Sequence, residues 1–65
     1  MIGLNVRMIR KNAKMSQQAL ADSCGCSVSQ IRNIESGRSY PSVQMLRRVA
    51  MATGARLVIS FYLES

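Results

Sequence analysis

Three stretches of this chain open on a serine and close on a glycine: Ser16 to Gly25, Ser27 to Gly37, and Ser42 to Gly54. A serine hydroxyl accepts from the free amides of a helix's first turn, and glycine tolerates the left-handed conformation that ends one. Brackets this close together leave room only for short helices. Inside them the apolar residues recur at helical spacing. Leu20, Ala21 and Cys24 share a face between Gln17 and about Cys24, and Ile31 and Ile34 do so between Val28 and about Ser36. Val43, Leu46, Val49 and Ala50 form the stripe of a helix from about Val43 to Thr53. Pro41 disfavours helix at Tyr40 and keeps the last two helices apart. Ahead of the first bracket, Val6, Ile9 and Ala13 predict a further helix from about Asn5 to Ala13, with Arg7, Arg10, Lys11 and Lys14 mostly around the apolar face.

The pattern changes after Gly54. Leu57, Ile59, Phe61 and Leu63 alternate with Val58, Ser60, Tyr62 and Glu64, and the run is rich in β-branched and aromatic residues. That favours a strand over a fifth helix. The fold class is therefore mainly α: four short helices plus a C-terminal β-strand. We expect one domain over residues 1–65, helical over 1–54, with 55–65 as a dimerisation strand.

Charge and inventory narrow the function. The 65 residues carry nine Lys and Arg against three Asp and Glu, for a net charge of +6. Such an excess suggests a polyanionic partner. The cations are scattered along the chain rather than gathered opposite one apolar face, which argues against a membrane surface. There is no His, and Asp22, Glu35 and Glu64 are the only carboxylates. Acid–base catalysis and a four-ligand metal site are hard to assemble from that set, so no enzyme, metal or cofactor is expected. No apolar run approaches the ~18 residues of a membrane span. The start, Met1 to Arg7, lacks the order of a signal peptide, so a cytoplasmic location is expected. Cys24 and Cys26 then read as reduced thiols filling a small core.

Counted from Gln17, the fifth residue is Ala21, the ninth Gly25, the fifteenth Ile31 and the eighteenth Ile34. Two short helices joined at a sharp elbow must nearly touch there. Ala21 keeps the crossing close, Gly25 turns the chain, and Leu20, Cys24, Cys26, Ile31 and Ile34 close an apolar wedge beneath. Val28, Ser29, Arg32 and Asn33 are left facing outward. By their chemistry, Asn33 can bond an adenine edge, Arg32 a guanine or equally a phosphate, and Val28 a thymine methyl.

With Ser16-Gln17-Gln18-Ala19-Leu20-Ala21, Gly25, Ile31, Ile34-Glu35-Ser36-Gly37 and Pro41-Ser42 in these positions, the sequence resembles the lambda-repressor-like, or Cro/Xre, helix-turn-helix family. The likeness covers about three-quarters of the chain, from Val6 to Gly54. It implies a double-stranded DNA partner. Gln17, Ser27, Arg38 and Ser39 are then phosphate contacts, and Val28, Ser29, Arg32 and Asn33 base readers. Arg10 and Glu35 become a structural ion pair. Cys24 and Cys26 replace larger aliphatic residues, and Thr53 stands where the family commonly has Leu, which loosens the core and increases the need for a partner subunit.

The strand-like tail is similar to that of antitoxins of the HipB and HigA kind. That likeness implies an autorepressor that also holds a toxin protein. A lone strand leaves its edge unpaired, so Leu57, Ile59, Phe61 and Leu63 are expected to pair with the same strand of a second copy. The leading reading is a dimeric repressor of a palindromic operator. The competing one is a protein-interaction module that kept the fold without DNA binding. The recognition helix carries Arg32 and no outward acid, which favours DNA.

Overall fold

A computed structural model describes residues 2–57, which form four helices: α1 (Ile2–Asn12), α2 (Gln17–Cys24), α3 (Val28–Glu35) and α4 (Val43–Thr53). The serine brackets act as caps. Ser16 Oγ accepts from the Ala19 amide at 3.0 Å, and Ser42 Oγ from the Met45 amide at 3.0 Å. Ser27 makes the reciprocal pair: its Oγ accepts from the Gln30 amide at 3.1 Å, while its own amide donates to Gln30 Oε1 at 3.3 Å. Two of the orphan donors at the start of α3 are thereby satisfied.

The first helix starts earlier than its apolar spacing predicts, at Ile2 rather than about Asn5. The reason is tertiary. A Cβ on Gly3 would lie 2.4 Å from the Ile34 carbonyl oxygen and 2.9 Å from that of Glu35. Only a glycine lets the first turn of α1 rest on the end of α3. This packing carries the helix through a residue whose own propensity opposes it. The other end of α1 closes without glycine: Lys14 sits at φ 57. Its amide donates to the Lys11 carbonyl at 2.9 Å, and that of Met15 to the Arg10 carbonyl at 3.1 Å.

α2 packs on α3 and α4, and α1 packs on α3. Val6, Leu20, Ala21, Cys24, Ile31, Ile34 and Val49 form the core where they meet, with Leu20 and Ile31 at 0 % exposure. Burying each such aliphatic side chain stabilises by roughly 1.5–3 kcal/mol. Val43 does not join the expected stripe of α4; it is 50 % exposed. It is the first residue after the Ser42 cap, ahead of the turn that reaches the core, and Met45 packs there beside the expected Leu46. Thr53 turns its hydroxyl back on its own helix, donating to the Val49 carbonyl at 2.8 Å.

Beyond Gly54, residues 55–57 carry neither helix nor strand, and the rest of the expected strand lies outside the described residues. Among the described residues, no helix is long and apolar enough to cross a membrane.

Candidate nucleic-acid interface

The elbow between α2 and α3 is built by backbone hydrogen bonds. Gly25 takes φ 68 and ψ 34, its amide donates to Asp22 O at 3.3 Å, and the Cys26 amide donates to Ala21 O at 3.0 Å. This left-handed closure satisfies the Ala21 and Asp22 carbonyls in the last turn of α2 and turns the chain at Gly25. Ala21, at 0 % exposure, occupies the crossing. Cys24 is buried and Cys26 half-buried against the same core, both as free thiols. Burial pushes the Cys24 thiol up, the neighbouring Cys26 adds to this, and the Arg48 charge opposes it. Burial thus favours the protonated form of this thiol.

α3 leaves this elbow with Ser29, Gln30 and Arg32 exposed and Asn33 half-buried. Val28 departs from its expected outward place: it is half-buried and packs against the core. As the first residue after the Ser27 cap it faces the inside of the elbow, and only part of its surface is free to meet a ligand. Ser27, Arg38 and Ser39 are exposed, and Gln17 is half-buried at the start of α2. The Arg38 and Ser39 amides both donate to the Asn33 carbonyl, at 2.9 and 3.2 Å, which pins their loop to the end of α3.

Between α1, α2 and α3 lies an open groove of about 410 Å³ lined by Arg7, Arg10, Gln17, Arg32, Glu35 and Ser36. Its floor is an ion pair. Arg10 Nε donates to Glu35 Oε2 at 2.7 Å and Arg10 Nη2 to Glu35 Oε1 at 3.1 Å, with the two side chains 9 % and 5 % exposed. Arg10 Nη1 donates to the Met15 carbonyl at 2.8 Å. Gln17 Nε2 donates to Glu35 Oε1 at 3.2 Å, and Gln17 Oε1 accepts from Arg32 Nε at 3.3 Å. Burial raises the pKa of Glu35, but hydrogen bonds from Arg10 and Gln17, together with the charges of Arg10 and Arg7, outweigh it. Its carboxyl is held below the usual carboxylate range. The groove is consequently positive, its one acid already bonded to Arg10 and Gln17.

Two features here escape a reading by sequence. Arg7 lines the groove beside Arg10, for which the only signal is their spacing of three on one helix. The double engagement of Gln17 has no local signature, because its partners come from α3.

The four-helix arrangement, with a tight elbow between α2 and an α3 whose one carboxylate is bonded inward, is that of a helix-turn-helix domain. The helix-turn-helix family model matches residues 6–59, so the chain belongs to the lambda-repressor-like helix-turn-helix family. That family comprises DNA-binding regulatory domains rather than enzymes. No curated protein matches the chain.

Proposed function

We propose that the protein is a sequence-specific transcription repressor that binds a palindromic operator as a homodimer. The observation that carries this reading is the state of α3: Arg32 is exposed on it, while its one carboxylate, Glu35, is folded away beneath Arg10 and Gln17. A helix cleared of outward negative charge can lie between two phosphate rims, and a domain of net charge +6 is drawn toward them. Ser29, Arg32 and Asn33 are the base readers, with Val28 offering what its packing leaves exposed. Gln17, Ser27, Arg38 and Ser39 contact phosphates at the two ends of the helix pair.

Dimerisation is assigned to the tail, through Leu57, Ile59, Phe61 and Leu63 in an antiparallel ribbon. Two-fold pairing would set the recognition helices about one DNA turn apart, ~34 Å. The antitoxin role implied by the likeness to HipB and HigA is a narrower form of this reading, with a toxin protein as a second partner.

Selection from a pool of random duplexes tests the proposal. The expected result is an enriched palindrome whose half-sites are one turn apart, and a promoter carrying it should be silenced when the protein is added. A pool that emerges unenriched would overturn the reading.

A further inference from the structure

An exposed arginine on a helix ordinarily sweeps a wide arc, but Arg32 is held. Its Nε donates to Gln17 Oε1 at 3.3 Å, and Gln17 Nε2 donates to Glu35 Oε1 at 3.2 Å. Glu35 is clamped by Arg10 at 2.7 and 3.1 Å, and Arg10 by the Met15 carbonyl at 2.8 Å. An unbroken chain of hydrogen bonds therefore runs from the backbone after α1, through a buried ion pair, to the exposed face of α3. The orientation of the Gln17 amide is forced by its neighbours. Flipped, it would set its oxygen against a carboxylate and its NH2 against a guanidinium.

We infer that Gln17 is a positioning residue for Arg32 and makes that arginine a guanine reader, with the Arg10–Glu35 pair as anchor. This rests on the DNA-binding reading above and deepens it. A guanidinium bonded at Nε keeps its two terminal amino groups as a fork, and guanine offers two acceptors, N7 and O6, that match one. A phosphate would accept from any of the donors and needs no such restraint. Fixing the side chain before binding removes part of the ordering cost of a directional contact, which a sequence-blind contact needs far less. The amide nitrogen of Gln17 carries a second hydrogen, so a phosphate contact there is compatible with the positioning role. The two roles differ in their signature: a phosphate contact acts on every sequence alike, positioning on one base pair.

The test measures full-length Gln17→Met, Arg32→Ala and the double variant against the selected operator and its single base-pair variants. Wild type should discriminate about tenfold or more against replacing one particular G·C pair. Arg32→Ala should abolish that preference. Gln17→Met should reduce it several-fold at the same pair while leaving the other positions unchanged, and the double variant should be no worse there than Arg32→Ala. Gln17→Asn keeps the amide but not its reach, and repeats the test should methionine disturb the fold. Gln17 variants that lose affinity uniformly while keeping full discrimination at the Arg32 pair overturn the inference. Wild type showing no preference for any duplex overturns the underlying DNA reading instead.

Discussion

Arg10 is only 8 % exposed, yet each of its three guanidinium nitrogens is hydrogen-bonded, two to Glu35 and one to the Met15 carbonyl. A buried charge is tolerable only on such terms, and removing one partner is far costlier than replacing both. Glu35→Ala should cost about 3–5 kcal/mol. That is comparable to the whole ~3–5 kcal/mol that a core of this size supplies, so the variant should be largely unfolded by circular dichroism. The apolar double replacement Arg10→Met with Glu35→Leu should melt closer to wild type. The lowered pKa of Glu35 sets the acid response. Because the folded state binds this proton less readily than the unfolded chain, the stabilisation is full above the ordinary glutamate value of about 4.3 and fades as pH falls through the lowered one. Melting temperature should therefore drop below about pH 4 in wild type. Glu35→Gln, which cannot titrate, should start from a lower plateau and show a flatter profile there.

Helix ends decide the next set of outcomes. Alanine is a better helix former than glycine by about 1 kcal/mol, so Gly3→Ala would stabilise an isolated α1. In this protein the sign should reverse, because the new Cβ would meet the Ile34 carbonyl at 2.4 Å, and backbone cannot yield as a side chain can. Lys14→Gly should work the other way. The lysine sits at φ 57, a conformation that costs a side-chain-bearing residue roughly 1 kcal/mol, and glycine relieves it. Thermal melts of the two variants should move in opposite directions. The same contrast explains what the chain discloses in advance. Ser16, Ser27 and Ser42 act within three residues of themselves, so the starts of α2, α3 and α4 are legible from the residues alone. Gly3, the half-buried Val28 and the bonds of Gln17 are not. Each is set by a partner on another element, and side-chain periodicity contains no term for where that element will lie. For the candidate site this means that the helix bearing it was legible and the restraint on its central arginine was not.

At the scale of the whole molecule, the proposal makes two demands. Deleting everything after Gly54 should leave four helices and an intact elbow in a monomer, since among the described residues those of the core all precede that glycine. Operator affinity should then fall far more than affinity for random duplex, because one half-site is lost while local charge hardly changes. Sedimentation of both forms decides the point: a full-length chain that stays monomeric at high micromolar concentration rules the ribbon out. Binding should also weaken steeply with salt. Each phosphate neutralised contributes a slope of about −0.9 in log affinity against log salt. Arg38→Ala should make that slope shallower by about one for each half-site it contacts, without changing base preference.

The hydrogen-bond chain from Met15 to Arg32 would give α1 a part in the proposed recognition, although it carries none of the proposed base readers. Opening α1 in the free protein requires breaking the Arg10–Glu35 pair, which releases Gln17 and with it Arg32. With an operator in place, the same opening would also forfeit a base contact. Backbone amides of α1 should then exchange with heavy water more slowly when operator is bound, and less so in Gln17→Met. Solvent exchange in the first helix becomes a gauge of whether the third has found its sequence.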